Sequence, residues 1–133
     1  FQFSYRTAKN LDNKMILSVD LNVEEGDPQK IQKQISDNLI RRKTSQPPAI
    51  YNAGSVFKNP QEGSAGFFIE KAGLKGYSID GVGVSEKHAN FFVAKRGTKA
   101  QSLFELVKYV KAEVFNKFDI SLEEEIIFAG NFY

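Results

Sequence analysis

The chain has 133 residues, which is the length of one ordinary domain. Hydrophobic residues make up 41% and charged residues 26%, which excludes a disordered chain, and a net charge of +2 argues against a dedicated nucleic-acid or anionic-membrane binder. The absence of cysteine excludes disulfides and thiolate metal sites, and no apolar run approaches the ~20 residues of a membrane span. Because the first residue is Phe1 rather than Met, we expect a fragment or a processed chain.

The first third of the chain predicts one strand and one helix. Residues 14–23 alternate, with Met15, Leu17, Val19, Leu21 and Val23 on one face, which indicates a half-buried strand. Apolar residues then recur at helical spacing over 28–43, namely Ile31, Ile35, Leu39 and Ile40. Pro28 suits the first turn, the cations of 41–43 suit the carboxyl end, and Gln46-Pro47-Pro48 predicts an extended linker.

The rest of the chain interleaves short helices and strands. Residues 64–72 predict a helix capped by Ser64 and closed by Gly73, and the glycine-rich 73–90 predicts tight turns and irregular strand. Residues 90–95 and 125–129 predict strands. A capping box of Thr98 and Gln101 predicts a helix to about Lys117 whose apolar stripe is Leu103, Leu106, Val107, Val110 and Val114. The expected fold class is therefore α+β.

Three positions carry side chains suited to acid or anion chemistry. Ser55 lies among small residues in 53–60, close to the cation of Lys58 and the amide of Asn59. Arg6, in an aromatic context, offers a planar fork for a carboxylate or phosphate. Glu125 ends an acidic run and precedes an apolar stretch, so its carboxylate is placed to enter a partly buried site and act as an acid.

Each of these features also has a structural interpretation. The segment 53–60 alone fits a turn, Arg6 alone fits a surface ion pair, and an acidic run usually forms a solvated face. His88 is the only histidine, so a metal site with paired histidines is not expected, and a catalytic triad would depend on His88 alone. The glycine patterns that bind phosphates or dinucleotides are absent.

Several blocks, in order along the chain, resemble one family. They are Ala53 to Pro60, Ala65 to Glu70, Ala72 to Tyr77, Val84 to Phe91, Leu122 to Ile126 with Gly130, and Tyr5-Arg6. The pattern is similar to UDP-N-acetylenolpyruvoylglucosamine reductases, flavoenzymes of peptidoglycan precursor synthesis. The uninterrupted run from Gly76 to Glu86 resembles the shorter, second type of that family. The chain departs from the family pattern where Thr7 and Ala8 follow Arg6.

The resemblance implies a reaction and roles for particular residues. Family members reduce UDP-N-acetylglucosamine enolpyruvate to UDP-N-acetylmuramate with NADPH, through FAD. By this correspondence Ser55 is the proton donor, and Arg6 and Glu125 polarise the substrate carboxylate. Lys58, Asn59 and Lys75 are implied as diphosphate and sugar contacts, and no metal is expected.

The resemblance also implies a layout. Residues 1–44 correspond to the end of the FAD-binding domain, 45–118 to the substrate-binding C-terminal domain, and 119–133 to a return segment that packs on a missing N-terminal part. Most of the FAD is expected on that missing part, so the isolated chain is expected to be inactive. Family members are cytoplasmic, with no nucleic-acid or membrane partner.

The sequence also fits two hypotheses of other classes. A non-catalytic module that binds a nucleotide sugar or a protein would keep Lys58 and Lys75 but would have no use for both Ser55 and Glu125. A hydrolase would depend on His88. The positions of Ser55, Glu125 and Arg6 in the fold discriminate between these hypotheses.

Overall fold

The computed structural model describes residues 2–9, 11 and 13–132 of the chain. It divides into two compact units, Phe1–Lys33 and Gln34–Tyr133. The second unit contains the buried core, as given below. The mixture of helices and small antiparallel sheets confirms the α+β fold class.

The first unit contains an antiparallel hairpin. Strand β1, Gln2–Ser4, pairs with β2, Thr7–Lys9, so that Gln2 lies opposite Lys9. Arg6 lies in the connecting turn with a φ of 55°, a left-handed conformation that tight turns commonly need. The hairpin therefore places the arginine at its tip.

The strand predicted over residues 14–23 is wrong. The segment forms no ladder, and its five alternating apolar residues are between 69% and 88% exposed. A strand needs a neighbouring strand for its backbone hydrogen bonds and another element to cover its apolar face. An alternating sequence shows which face is apolar but does not provide either partner. In the described part of the first unit, the only strands are those of the hairpin.

Helix α1, Pro28–Ser45, confirms the predicted helix and extends it by two residues. Asp27 caps it, because its carboxylate accepts hydrogen bonds from the backbone N–H groups of Gln29 at 2.8 Å and Lys30 at 3.3 Å. The helix ends just before Pro47-Pro48, as expected for residues that cannot continue it. None of its residues is buried.

The second unit packs two helices against a small sheet. Its elements are α2, Ala65–Lys71; β3, Ser78–Ile79; β4, Val82–Val84; β5, Phe92–Ala94; and α3, Ala100–Phe118. The strands lie in the order β3-β4-β5, both pairs antiparallel, and α3 packs against β3, β4 and α2. The stripe predicted on α3 is confirmed, because Leu106, Val107, Val110 and Val114 are buried and Leu103 is partly buried.

Helix α2 is bounded as the sequence predicted. The Ser64 hydroxyl accepts a hydrogen bond from the backbone N–H of Phe67 at 3.1 Å, and Gly73 ends the helix with a φ of 81°. From α3, the ammonium group of Lys117 donates to the last-turn carbonyl of Ala72 at 2.6 Å. The two helices are thus joined where α2 ends.

Two further predictions about element ends are wrong. Lys99, not Thr98, is the N-cap of α3, and the Thr98 hydroxyl instead donates to the carbonyl of Gly81 at 3.1 Å. The Thr98 hydroxyl is therefore bonded to the turn between β3 and β4 and does not cap the helix. The segment 125–129 is not a strand, and the isolated bridge to Phe57 is made by Glu124, the residue just before it.

The core predicts that two phenylalanines contribute very differently to the free energy of unfolding. Phe57 is 1% exposed and Phe115 is 48% exposed. Phe57→Ala should lower the free energy of unfolding by about 3–5 kcal/mol, because it removes buried surface and leaves a cavity. Phe115→Ala, the matched control on α3, should change it by less than about 1 kcal/mol. Urea unfolding followed by circular dichroism measures both, and equal losses would contradict this core.

Candidate functional site

The segment 55–58 lies between two other stretches of backbone. On one side Ser55 forms a bridge with Phe91, and the N–H of Val56 donates to the carbonyl of Asn90 at 2.8 Å. On the other side Phe57 forms a bridge with Glu124, as noted above. These short contacts bring together residues more than thirty positions apart in the sequence.

Asn90 fixes this arrangement through its side chain. Its amide oxygen accepts from the N–H of Phe57 at 2.9 Å, and its amide nitrogen donates to the carbonyl of Phe57 at 2.8 Å. Asn90 is 3% exposed, so water does not compete for these bonds. The buried amide of Asn90 therefore satisfies the backbone N–H and carbonyl of Phe57, two residues after Ser55.

The loop before Ser55 is organised by Asn52. Its side chain donates to the carbonyl of Pro48 at 2.6 Å and accepts from the N–H of Gly54 at 3.0 Å. Gly54 has a φ of 83°, a conformation that costs a residue with a Cβ atom strain. The chain thus turns sharply just before the serine and presents Ser55 at the edge of the core.

Ser55 lines a cleft of about 750 Å³ within the second unit. The other lining residues are Leu39, Arg42, Lys43, Gln46, Pro47, Pro48, Ala49, Asn52, Gly54, Lys87 and Phe91. Arg42, Lys43 and Lys87 are cationic, and no carboxylate belongs to this lining. A hydroxyl beside concentrated positive charge suits an anionic ligand.

Glu125 lies beside the segment of Ser55. Its backbone N–H donates to the carbonyl of Val56 at 2.8 Å, and the N–H of Ile126 reaches the same oxygen at 3.4 Å. Two successive donors on one acceptor form the hydrogen-bond pattern of a β-bulge, a feature that redirects a side chain. Glu125 is half-buried and does not belong to the lining of the cleft.

The two residues before Glu125 form ion pairs with separate elements. The ammonium group of Lys58 contacts the carboxylate of Glu123, and that of Lys111 lies 2.8 Å from both carboxylate oxygens of Glu124. The N–H of Lys58 also donates to the carbonyl of Glu123 at 2.9 Å. The acidic run is therefore divided among contacts rather than forming one solvated face.

The three residues implied as substrate contacts have structural contacts of their own. Lys58 pairs with Glu123, as described, and Lys75 pairs with Glu70 at 2.9 Å. The side-chain oxygen of Asn59 accepts from the N–H of Ala65 at 3.0 Å, at the start of α2. Binding of substrate by these residues stays a prediction.

Arg6 lies in the other compact unit, at the tip of the hairpin. Its guanidinium carbon is 5.7 Å from the centre of the Tyr5 ring, a cation–π geometry. The structure therefore assembles Ser55 and Glu125 within one unit, and the role of Arg6 with them stays a prediction from the family resemblance.

His88 contacts the backbone next to the site. Its Nδ1 accepts a hydrogen bond from the N–H of Asn90 at 3.2 Å, and its ring packs edge-on against Phe91 at 4.9 Å between centroids. Burial, and then the charge of Lys75, lower the pKa of His88 below its usual 6.5. Among the residues that the structure describes, no group of three or more His, Cys, Asp or Glu side chains is placed to hold a metal ion.

Some residues of the site were not recognised from sequence. The sequence pairs the cations at 41–43 only with the helix dipole, yet Arg42 and Lys43 line the cleft. Lys87 and Asn90 received no role. The available signal is that the basic cluster of 41–43 lies at the end of a helix, separated by three residues from the proline pair that prevents the helix from continuing.

The comparisons with known proteins identify the family. The family model for the C-terminal domain of UDP-N-acetylenolpyruvoylglucosamine reductase matches residues 46–129, well over half of the chain. The chain belongs to this family. The match includes Ser55 and Glu125, which the fold places on neighbouring backbone segments.

Individual relatives agree with this family. UDP-N-acetylenolpyruvoylglucosamine reductases from Bacillus subtilis (strain 168) and Fervidobacterium nodosum are each 39% identical, over 132 and 127 residues. The matches cover 97% and 93% of this chain but only 44% and 41% of those relatives. The chain therefore spans less than half the length of these relatives.

A solved structure shows the same fold. The crystal structure of UDP-N-acetylenolpyruvylglucosamine reductase from Thermus caldophilus aligns with a TM-score of 0.65 and 32% identity, covering 77% of this chain and 35% of that one. In the described residues of the chain, no helix combines the length and apolarity that crossing a bilayer requires.

The amide of Asn90 generates a stability prediction. Asn90→Ala should lower the free energy of unfolding by about 2–4 kcal/mol, because the buried N–H and carbonyl of Phe57 each lose a partner. Asn116→Ala, an exposed asparagine on α3, serves as the control and should cost less than about 0.5 kcal/mol. If chemical denaturation gives the two variants the same stability, the amide does not hold the segment of Ser55.

His88 generates a pH prediction. The folded protein binds its proton less tightly than the unfolded chain, so the stability contributed by neutral His88 is present above pH 6.5 and is lost as pH falls below it. Because His88 is the only histidine, its ring resonance in a proton NMR titration is unambiguous. We expect a midpoint below 6.5, and the acid-side loss of stability through this range should shrink in His88→Gln. A midpoint above 6.5 would contradict the packing of this ring.

Proposed function

We propose that this chain is the substrate-binding portion of an enzyme that reduces UDP-N-acetylenolpyruvoylglucosamine to UDP-N-acetylmuramate with NADPH. The observation that carries the proposal is the placement of Ser55 on a cationic cleft with the backbone of Glu125 beside it. A binding module has no need for that pair, so the module is the less favoured hypothesis. The His88 hydrolase is also less favoured, because Nδ1 of His88 is engaged by backbone.

Ser55 is the proposed proton donor. Reduction of the enolpyruvyl double bond adds a hydride to one carbon and a proton to its neighbour. The turn at Gly54 and the bridge to Phe91 hold the backbone of Ser55 at the cleft, from which its hydroxyl would deliver that proton. The lysine and arginine side chains of the cleft favour the alkoxide left behind.

Glu125 and Arg6 are the proposed partners of the substrate carboxylate. Negative charge develops on that carboxylate as the hydride arrives, and a hydrogen-bond donor and a cation both stabilise it. The bulge that Glu125 and Ile126 form opposite Val56 supports this role for Glu125, since a bulge redirects a side chain away from regular pairing. Arg6 enters the proposal through the family correspondence.

The cationic side of the cleft suits the diphosphate of the substrate and the phosphates of NADPH. Arg42 offers a planar fork and Lys43 and Lys87 offer ammonium groups, all on one lining. Lys58, Asn59 and Lys75 are the proposed additional contacts to diphosphate and sugar. Lys58 and Lys75 would exchange their present carboxylate partners for substrate.

FAD, when bound, would supply the hydride in the proposed reaction. The described residues of the second unit offer an open cleft rather than an enclosure for a flavin, so we propose that the part of the full-length protein outside this chain holds most of it. Residues 1–44 would then be the end of the FAD-binding domain, 45–118 the substrate-binding domain and 119–133 the return segment. The isolated chain would be inactive, and the full-length enzyme would work in the cytoplasm.

The activity test uses the full-length protein, with its upstream residues restored. Oxidation of NADPH, followed by the absorbance of the reduced nicotinamide, should require UDP-N-acetylenolpyruvoylglucosamine. Ser55→Ala should lower kcat by about 10²–10⁴-fold, the usual contribution of a positioned acid. Ser78→Ala, which changes an exposed serine of β3 outside the cleft, is the control and should retain full activity.

The other outcomes separate the hypotheses. A yellow, folded protein that does not oxidise NADPH with this substrate would indicate a flavoprotein with a different substrate. A colourless, folded protein without activity would favour the binding module. Full activity in Ser55→Ala would remove the serine from the mechanism while leaving the reductase in place.

A further inference from the structure

Helix α3 contacts the chain on both sides of Glu125. Before it, the ammonium group of Lys111 lies 2.8 Å from both carboxylate oxygens of Glu124. After it, the ring of Phe104 packs edge-on against the ring of Phe128, with centroids 5.3 Å apart. Glu125 therefore lies between two contacts that start from the same helix.

The two contacts share one face of α3. Lys111 and Phe104 are seven residues apart, which is nearly two full turns and about 10 Å along the helix axis. Glu124 and Phe128 are four residues apart in non-helical chain, a separation that can span about the same length. The chain from Glu124 to Phe128 is therefore long enough to reach both contacts, with bends at Glu125 and Ile126 taking up the remaining length.

A third contact joins Glu125 to the backbone beside Ser55. The N–H of Glu125 donates to the carbonyl of Val56, one residue after Ser55. Neither half of the Lys111–Glu124 pair is fully exposed, with side chains 35% and 31% exposed, so solvent screens the pair only in part. The segment is held from α3 and from the segment of Ser55 at once.

We propose that Lys111 and Phe104 are positioning residues that determine where the Glu125 carboxylate stands relative to Ser55. This inference rests on the proposed reductase function. A catalytic group must be held within a fraction of an ångström of its productive geometry by contacts around it. Here, two side chains of α3 that do not line the cleft of Ser55 supply that support.

Loss of Lys111 has a direct physical consequence. The Glu124 carboxylate would lose its bidentate partner and turn toward water, carrying the adjacent backbone with it. A small displacement of a catalytic group lowers the rate of the chemical step more than it lowers substrate affinity. The effect should therefore appear in kcat rather than in KM.

The test compares variants of the full-length protein by steady-state kinetics. Lys111→Met should lower kcat by about tenfold with KM within about twofold of wild type, since placement and not binding is changed. Phe104→Leu should shift kcat in the same direction. Lys99→Met is the matched control, because Lys99 is an exposed lysine at the N-cap of α3 whose side chain makes no capping hydrogen bond.

An exchange of charges separates positioning from general damage. Lys111→Glu combined with Glu124→Lys restores an ion pair of reversed polarity and should recover most of the lost kcat. Unchanged kcat in Lys111→Met, an equal loss in Lys99→Met, or no recovery in the exchanged pair would each overturn the inference.

A second measurement does not depend on activity. Hydrogen exchange of the Glu125 amide, observed by NMR in the 133-residue chain, should become about tenfold faster in Lys111→Met and stay unchanged in Lys99→Met. If the wild-type full-length protein oxidises no NADPH, the proposed function fails and this exchange rate still decides the positioning. An unchanged rate in Lys111→Met would overturn it.

Discussion

The pair of hydrogen bonds between the Asn90 side chain and the backbone of Phe57 is the constraint on which the site depends. Both bonds are buried, so breaking them would leave polar groups without water or protein partners. They hold the central segment 55–58 against its neighbour at 90–91. Ser55 has its position because the residue two places later is anchored in the core.

The second organising feature is the division of charge around that segment. Cations from the end of α1 and from Lys87 collect on the cleft beside Ser55, whose lining contains no carboxylate. Two of the three glutamates of the acidic run are paired with lysines from other elements. The result is a region where an anion is attracted while the nearby acids are partly neutralised by their own partners.

Elements whose stability comes from local interactions were the ones that the sequence predicted well. Helices α1, α2 and α3 have helical periodicity, and Ser64 and Gly73 mark the ends of α2 by chemistry that acts within one turn. The prediction of a strand at 14–23 was wrong because an alternating pattern indicates an apolar face but does not identify a neighbouring strand to pair with. Thr98 failed as a cap because a carbonyl seventeen residues away, in the turn before β4, takes its hydroxyl.

The sequence by itself determined the fold class, the helices, the family and the identity of Ser55 and Glu125 as the residues to examine. These follow from periodicity, from end signals and from ordered blocks of residues, all of which can be read along one chain. Only the tertiary structure decided that Arg42, Lys43 and Lys87 share a cleft with Ser55, that Asn90 anchors it, and that α3 holds the chain around Glu125. Those contacts join positions far apart in sequence, and their partners are selected by packing in three dimensions rather than by any local preference of the backbone.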